Sequence, residues 1–509
     1  MAGNLQHPFQ CVQFIERQSS GLQDLLVASA GSRVYSYAVG NGQRLAVWPQ
    51  NVESVNNEST GSTGPESSSD SQAPPEKKRK VSSENEQNEH SKSATESSDK
   101  SQPSVTWSTV PLLVPSSDGR HLVALTGEDK TIRVLKVAED GTLEQISARS
   151  MPKRPSSIVL AGDDSTILSA DKFGDVYSLP LIPSDNPARI QRNLRQAKVS
   201  APVASNLTVH TKRNLASLEQ QKKYLEQNGS QEKPGPDFEH QLLLGHVSLL
   251  TDLAFVSLQS ESSNNKRSYV LTADKDEHIR VSRGPPQSHV IENYCLGHNS
   301  FVSSLCIPQW APEFLVSGGG DGYLIVWKWL EGRIIERVSI LDETSENKEV
   351  AVRGIWAASL SESADPSKVS NVILVAIDGS SKLLSYALEA DGTLKSHSPI
   401  QVSGNVLSVS SMDRNGMILV SIDSVREAGS TQTWRTNPAS AQTLVEAFGV
   451  KPETGGLQWE PITEGMASSI NAQGTSSVPA TISEKQKQEM NESLYNLGNL
   501  RKRGFGDDD

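Results

Sequence analysis

Four residues of this chain have the types and spacing of a catalytic set. His298, Ser317, Asp321 and Trp327 lie within thirty residues (327 − 298 = 29). A serine that gives its proton to a histidine, itself oriented by an aspartate, is the arrangement that acyl-transfer enzymes use to make a nucleophile. The tryptophan adds only an N–H donor to that set. The sequence around these residues decides between catalysis and a structural role.

The surrounding segment, residues 242–329, carries one pattern twice. Asp276 precedes Asp321 by 45 residues (321 − 276 = 45), and each copy places a Gly-His pair before three apolar runs. The first copy has these residues at the positions of the four above: His246, Thr272, Asp276 and Ser282. A repeat of this length with Gly-His and Trp is the signature of a WD-repeat β-propeller. Weaker copies on both sides predict an all-β propeller of about seven blades.

The repetition favours a structural role for the quartet. In WD-repeat proteins such residues form a hydrogen-bond network that joins the strands of one blade, because buried polar groups need partners. We therefore predict a structural network of His298, Ser317, Asp321 and Trp327. In the blade of Asp276, Ser282 replaces the tryptophan, so we expect the network there to hold the strands together more weakly.

Motifs for other chemistry are not found in the sequence. It contains no nucleophile elbow, phosphate-binding Gly-rich loop, metal-binding histidine cluster or nicotinamide fingerprint, and nothing resembles an S-adenosylmethionine site. The run Gly318–Gly320 directly precedes the Asp turn, so tight strand turning explains it better than phosphate binding. We expect neither a catalytic residue, nor a cofactor, nor a metal.

Composition narrows the class of protein further. The 509 residues are only 35% hydrophobic and carry a net charge of −12, with a mean hydropathy of −0.43. An acidic chain is a poor autonomous binder of nucleic acid, since that affinity depends on neutralised phosphates. Three cysteines without metal spacing fit a reducing compartment. We expect neither a signal peptide nor a membrane span.

Changes in composition divide the chain into six segments. We predict first-blade strands in 1–48, a disordered Ser/Glu-rich insertion in 49–106 and further blades in 107–185. A polar and partly helical insertion follows in 186–237, and the remaining blades lie in 238–450. The C-terminal extension, 451–509, contains a helix near 483–497 that Gly498 ends.

A compact basic cluster lies in the first insertion. Lys77, Lys78, Arg79 and Lys80 follow two prolines in a segment too polar to fold. Such a cluster resembles a monopartite nuclear import signal, whereas the alternative is a solvated run of charge. We expect import, and hence a nuclear location.

The third strand of the first clear repeat departs from the usual pattern. The stretch DKDEHIRVSRGPP, residues 274–286, ends in Ser-Arg where Trp-Asp is usual. Alternation places Ile279 and Val281 on one strand face and Arg280 on the other, so Arg280 is predicted to be a solvent-exposed cation. Arg133 takes the same position in another repeat. The departure favours binding at this blade edge.

Several segments together resemble one family, the non-catalytic WD-repeat subunit of eukaryotic tRNA (guanine-N(7)-)-methyltransferase. They are ADKFGDVYS (170–178), LLLGHVSLLTDLAF (242–255), TADKDEHIRVSRGPP (272–286), CLGHNSFVSSL (295–305) and NLRKRG (499–504). The resemblance implies a heterodimer with a separate catalytic subunit, which this chain stabilises and activates for 7-methylguanosine formation in the tRNA variable loop. It also implies partner contacts through Arg280, Lys275 and Arg283, with tRNA bound through the complex.

Two other classes of function stay open at this point. A general nuclear WD-repeat scaffold for chromatin or mRNA-processing complexes shares the fold and the import signal. It has no reason to contain ADKDEHIRVSR. An autonomous propeller hydrolase would need histidines and carboxylates clustered at strand starts, and the sequence shows no such cluster.

Overall fold

The protein is a ring of seven antiparallel sheets, or blades, seen here in a computed structural model. Each blade is a single stretch of chain, and its strands pair in sequence order, except that the last strand of the sixth blade skips the strand before it. The structure describes residues 5–17, 21–50, 109–184, 211–228, 236–259, 266–341, 349–362, 365–435, 443–453, 456–478 and 483–502. The predicted propeller fold, with about seven blades, is confirmed.

Blades 1 to 3 use the first half of the chain. A short strand, β1 (Leu5–Gln6), precedes them. Blade 1 contains β2 (Cys11–Ile15), β3 (Leu25–Ala30), β4 (Arg33–Ala38) and β5 (Arg44–Trp48). Blade 2 contains β6 (Leu112–Pro115), β7 (His121–Thr126), β8 (Thr131–Val137) and β9 (Leu143–Ser150). Blade 3 contains β10 (Pro155–Ala161), β11 (Thr166–Asp171), β12 (Asp175–Pro180) and β13 (Gln241–Gly245).

Blades 4 to 7 use the second half. Blade 4 contains β14 (Leu250–Gln259), β15 (Lys266–Asp274), β16 (His278–Arg283) and β17 (Ile291–Leu296). Blade 5 contains β18 (Val302–Cys306), β19 (Phe314–Gly319), β20 (Tyr323–Lys328) and β21 (Arg333–Ser339). Blade 6 contains β22 (Val352–Glu362), β23 (Asp365–Ile377), β24 (Lys382–Leu388), β25 (Leu394–Ser396) and β26 (Ile400–Gln401). Blade 7 contains β27 (Asn405–Met412), β28 (Met417–Asp423), β29 (Val445–Glu453) and β30 (Gly456–Ile462).

Burial of the strands follows from the ring. Each blade packs both faces against its neighbours, so its central strands are near-continuous apolar runs rather than alternating ones. All six residues of β3, LLVASA, are buried, and so are all six of β19, FLVSGG. The core therefore lies between adjacent blades.

Two sets of contacts close the ring between blades 7 and 1. The hydroxyls of Ser408 and Ser410 on β27 accept from the backbone N–H groups of Val12, at 3.2 Å, and Phe14, at 2.8 Å. Strand β1 also pairs with β31 (Ser477–Val478), so segments near both ends of the sequence lie side by side. These contacts join the first and last blades without pairing their innermost strands, β2 and β27.

The helices lie outside the blades. Helix α1 (Lys212–Asn228) falls in the polar insertion between β12 and β13, where the sequence predicts a helix. Helix α2 (Met466–Gln473) follows β30, and helix α3 (Glu484–Leu494) lies in the C-terminal extension. The predicted blade boundary at 450 falls inside β29, and the propeller extends to Ile462.

Helix α3 is shorter than predicted at its C-terminus. Ser483 begins it as an N-cap, in a capping box with Gln486. The helix ends at Leu494, however, because Tyr495 leaves the helical conformation, and Gly498 lies in a separate 3-10 turn. The expectation that Gly498 ends the helix is wrong.

Strand direction defines two faces of the ring. Turns from the second to the third strand of each blade lie at one end, and so do the links from a fourth strand to the next blade. We call this end the upper face. It carries the turns 172–174 and 275–277 and the link 246–249.

Candidate partner interface

The four residues that resemble a catalytic set meet inside blade 5. His298 Nδ1 lies 2.7 Å from Asp321 Oδ2, and its Nε2 lies 2.7 Å from Ser317 Oγ. Trp327 Nε1–H donates to the same hydroxyl at 2.8 Å. Because a carboxylate only accepts, Nδ1 carries the proton, and Ser317 donates to Nε2. The chain of donors runs from the indole to the aspartate.

This arrangement holds strands together and leaves no nucleophile. The Ser317 side chain is fully buried and its oxygen already accepts from Trp327. Asp321 also accepts from the backbone N–H of Asn299, which ties the turn after β19 to the link before β18. A Cβ at Gly319 would clash with the carbonyl oxygen of Phe301, so close strand approach accounts for that glycine.

Blade 4 contains only part of the same network. His246 Nε2 lies 2.9 Å from Thr272 Oγ1, which matches the first half of the blade 5 arrangement. Asp276, predicted to complete it, turns outward and lies 3.5 Å from Lys502 Nζ. Asp274 takes over the turn: its Oδ1 accepts from the backbone N–H groups of Asp276 and His278, each at 2.9 Å. The alignment of Asp276 with the network is therefore wrong.

Burial and nearby positive charge favour the neutral form of His246. Burial, followed by the positive charges of Arg280 and His278, lowers the pKa of His246 to about 4. A neutral imidazole with one ring nitrogen on Thr272 satisfies that hydroxyl without an aspartate. Blade 4 thus loses the carboxylate and the indole of blade 5 but keeps the histidine.

Arg280 is buried, which corrects its prediction as a solvent-exposed cation. Only 8% of the residue is exposed. Its Nε–H donates to Ser282 Oγ at 3.2 Å, and its Nη1 donates to the carbonyl oxygen of Gly245 on blade 3 at 3.1 Å. Burial lowers the pKa of Arg280. Strand alternation misled the prediction because neighbouring blades cover both faces of a middle strand.

Arg133 shows the same behaviour in blade 2. It is also 8% exposed and is held by Asp129 Oδ2 at 2.7 Å and Gln145 Oε1 at 3.0 Å. An arginine at this strand position therefore belongs to blade packing.

The other two predicted partner contacts lie at opposite ends of strand β16. Lys275 is half-buried in the turn before it, on the upper face, where its backbone N–H donates to the carbonyl oxygen of Leu249 at 2.9 Å. Arg283 ends the strand on the other face, paired with Glu292 and donating to Gln287 Oε1 at 3.1 Å. The structure does not bring Lys275 and Arg283 together.

The C-terminal extension docks on the upper face, which sequence reasoning missed. Tyr495 lies between two guanidinium groups, with its ring centroid 5.4 Å from Arg353 and 5.1 Å from Arg426. Its hydroxyl donates to Asp423 Oδ2 at 2.7 Å, and Arg426 pairs with that carboxylate at 2.6 Å. Asn491 Oδ1 accepts from Arg426 at 2.8 Å. The fully buried Arg426–Asp423 pair thereby anchors helix α3.

From helix α3 the chain continues toward blade 4. Arg501 lies over the ring of Phe301 at 5.8 Å and donates to the carbonyl oxygen of Val350. Lys502 Nζ then lies 2.8 Å from Glu277 Oε1, next to its contact with Asp276. The extension therefore spans from blade 7 to the turn that carries Lys275. The sequence signal that could have indicated docking is an aromatic residue after a capped helix, followed by cations.

Three further features concern metal binding, membrane spanning and nuclear import. Within the described ranges, no three His, Cys, Asp or Glu side chains are placed to hold a metal. Among those same residues, no helix is long and apolar enough to cross a membrane. The basic cluster Lys77, Lys78, Arg79 and Lys80 lies outside the described residues.

The chain is similar to one family of proteins along most of its length. The family model described as the tRNA methyltransferase TRM82 WD40 domain matches residues 26–448. Two relatives, from Aspergillus clavatus and Aspergillus oryzae, are each named tRNA (guanine-N(7)-)-methyltransferase non-catalytic subunit trm82. They are 53% identical to this chain over 514 and 511 residues, respectively, and each match covers 100% of this chain and 100% of the relative. A relative of the same name from Coccidioides immitis is 42% identical, covering 99% of this chain and 100% of its own.

Proposed function

We propose that this chain, which belongs to the family of tRNA (guanine-N(7)-)-methyltransferase non-catalytic subunits, binds a separate catalytic methyltransferase chain as a heterodimer. It stabilises and activates that chain, and the complex methylates a guanosine in the variable loop of tRNA to 7-methylguanosine. The observation that carries the proposal is the match to so named relatives over the full length of the chain.

The interior of the propeller supports a non-catalytic role. The set His298, Ser317 and Asp321, whose residue types could support catalysis, joins strands within blade 5. The acidic net charge of −12 makes the chain a poor autonomous binder of tRNA, so the substrate is expected to bind mainly through the partner.

Reconstitution with the catalytic chain of the same organism tests the proposal. Each chain alone, and the two together, would be incubated with tRNA and S-adenosylmethionine, and 7-methylguanosine would be measured by mass spectrometry of nucleosides. We expect efficient methylation only with both chains. Methylation by this chain alone, or no gain when it is added to the catalytic chain, would overturn the proposal.

We also propose that the complex acts in the nucleus, on the basis of the cluster Lys77, Lys78, Arg79 and Lys80. Replacing all four by alanine should weaken nuclear accumulation of a fluorescent fusion. The matched control replaces Ser67, Ser68, Ser69 and Asp70 by alanine in the same polar segment. An equal nuclear signal from both variants would show that the basic cluster does not direct import.

A further inference from the structure

The C-terminal extension crosses the upper face from blade 7 to blade 4. We call residues 483–502 the strap. Arg353 of blade 6 donates from Nη1 to the carbonyl oxygen of Leu494 at 2.8 Å, and Arg501 lies over the ring of Phe301 at the start of blade 5. The strap therefore contacts four consecutive blades, although none of its residues belongs to a blade sheet.

Apolar burial holds the strap only weakly. Among the residues of helix α3, all of which the structure describes, only Leu494 is buried. An isolated helix of this length is marginally stable in water, and the capping box at Ser483 is internal to the helix. The position of the strap therefore depends on a few specific contacts, as is typical of the parts of a protein that open most easily.

The contacts of Tyr495 form a neutral anchor. Arg426 pairs with Asp423 at 2.6 Å, so its charge is already balanced. Arg353 is likewise paired with Asp378 at 2.6 Å. Tyr495 adds its ring to both guanidinium groups and its hydroxyl to Asp423. Burial, followed by the charge of Asp423, raises the pKa of Tyr495, so the hydroxyl keeps its proton and donates.

The far end of the strap, at Lys502, is held by charge in an exposed place. Lys502 Nζ lies 2.8 Å from Glu277 Oε1 and 3.5 Å from Asp276 Oδ1. The Lys502 side chain is 57% exposed. Ion pairs of this kind are weak and are screened by salt, so the far end differs in chemistry from the anchor.

The turn under the far end has an unusual residue. Glu277 has φ +78°, a left-handed conformation that residues other than glycine adopt rarely and at a cost in free energy. The matching turn of blade 3 has Gly174 in this place, because Ala-Asp-Lys-Phe-Gly there corresponds to Ala-Asp-Lys-Asp-Glu in blade 4. The turn itself thus favours glycine, and the contact of its carboxylate with Lys502 gives a reason for the glutamate.

We infer that the strap is a two-ended device: Tyr495 anchors it to blades 6 and 7, and Lys502 holds the blade 4 turn 275–277 through Glu277. Tyr495 acts on this turn only through Lys502, so it is a positioning residue. Loss of the anchor should free the turn, whereas loss of the far end should leave the anchor in place. The strap is complete within this chain, so its test needs no catalytic chain.

Hydrogen exchange of the full chain, measured by mass spectrometry, reports on the two ends separately. Helix α3 reports on the anchor, and the backbone N–H groups of Asp276 and His278, which donate to Asp274, report on the far end. Tyr495→Ala should speed exchange by about tenfold or more in the helix and by about two- to fivefold in the turn. Tyr495→Phe keeps the ring over both guanidinium groups and should have a smaller effect in both places.

Changes at Lys502 should affect the far end alone. Lys502→Ala should speed exchange in the turn by about two- to fivefold and leave helix α3 as in the parent, and Lys502→Arg should restore the parent rate. Raising sodium chloride from about 0.05 M to about 1 M should reproduce the effect of Lys502→Ala. Lys451→Ala is the matched control, because Lys451 is 58% exposed and pairs with Glu460 at 2.9 Å on blade 7. It should leave the turn unchanged.

Glu277→Gly separates the strap from a purely local role of the turn. Glycine adopts φ +78° without cost, so the melting temperature should not fall. Loss of the carboxylate should nevertheless speed exchange at the end of the strap, residues 499–502. A purely local role of Glu277 would leave those residues unchanged.

Two results would overturn the inference. If Tyr495→Ala speeds exchange in helix α3 but leaves the turn as in the parent, the strap does not couple the blades. If Lys502→Ala leaves the turn unchanged and Glu277→Gly leaves residues 499–502 unchanged, Lys502 does not hold the turn. Exchange across β3 and β19 shows whether a variant has lost the whole fold. Should Tyr495→Ala unfold, Tyr495→Phe and Lys502→Ala decide, since they remove one hydroxyl and one exposed side chain.

Discussion

Blades 4 and 5 share one residue pattern but use it differently. In blade 5, Trp327, Ser317, His298 and Asp321 form a complete buried chain of hydrogen bonds. Blade 4 keeps the histidine and the hydroxyl. Arg280 and Ser282 bond to each other near the place of the indole, and the aspartate faces the C-terminal extension.

The difference separates a network that closes within one blade from polar residues that also bond to other parts of the chain. In blade 5, the four residues of the network bond to one another. In blade 4, Arg280 reaches Gly245 of blade 3, and Asp276 is paired with Lys502. The link and turn of the upper face are thereby held in place, with Val247 exposed and Lys275 half-buried.

The largest expected effect comes from giving blade 5 the residue of blade 4. Trp327→Ser removes a fully buried indole and the donor to Ser317, so the free energy of unfolding should fall by about 3–5 kcal/mol. Urea titration followed by circular dichroism measures it. Ser282→Ala, at the matching position, should cost about 1 kcal/mol. Equal losses in the two variants would contradict the contrast between the blades.

Reversing the buried charge of blade 4 should have the next largest effect. Arg280→Glu sets a carboxylate against the carbonyl oxygen of Gly245, and we expect a loss of about 3 kcal/mol of stability. Arg280→Met keeps most of the buried stem and should lose less. The melting temperature checks both changes. An Arg280→Glu variant as stable as the parent would contradict the burial of Arg280 and would support the solvent-exposed position that strand alternation predicts.

Removing the two aligned aspartates should give unequal results. Asp321→Ala leaves His298 Nδ1–H and the N–H of Asn299 without their acceptor in a buried site, a loss of about 2 kcal/mol. Asp276→Ala breaks a solvent-screened pair with Lys502 and should change stability far less than Asp321→Ala does. Differential scanning calorimetry of both variants compares them. The contrast fails if Asp276→Ala costs as much as Asp321→Ala.

The smallest effect is a pH dependence that blade 4 adds. The unfolded chain protonates His246 near its ordinary pKa of 6.5, whereas the folded chain does so only near 4. Stability from this residue is therefore complete above pH 6.5 and is lost as the pH falls toward 4. Because His246 is partly exposed, the loss is about 1 kcal/mol. The free energy of unfolding of His246→Gln, measured between pH 4 and 6.5, should depend less on pH than that of the parent. Equal pH profiles for the variant and the parent would contradict this prediction.

Several features of the fold could be predicted from local sequence. The 45-residue period, the apolar runs and the Asp turns indicate a propeller because each blade is a local unit with its own pattern. The members of the blade 5 quartet were likewise recognisable from their spacing. The cap of helix α3 at Ser483 was recognisable for the same reason, since a capping box spans only a few residues.

The sequence by itself determined the family, the repeating strands and the candidates for hydrogen bonding, because short local segments carry all of these. Only the tertiary structure decided which candidates are buried. Arg280 is covered by a neighbouring blade, Asp276 is turned toward Lys502, and the extension docks through Tyr495 on Asp423, 72 residues away in sequence. The exposure of Val247 and Phe173 was likewise decided only by the tertiary structure. A residue's surroundings in a ring depend on the blades beside it, and no pattern within its own strand records them.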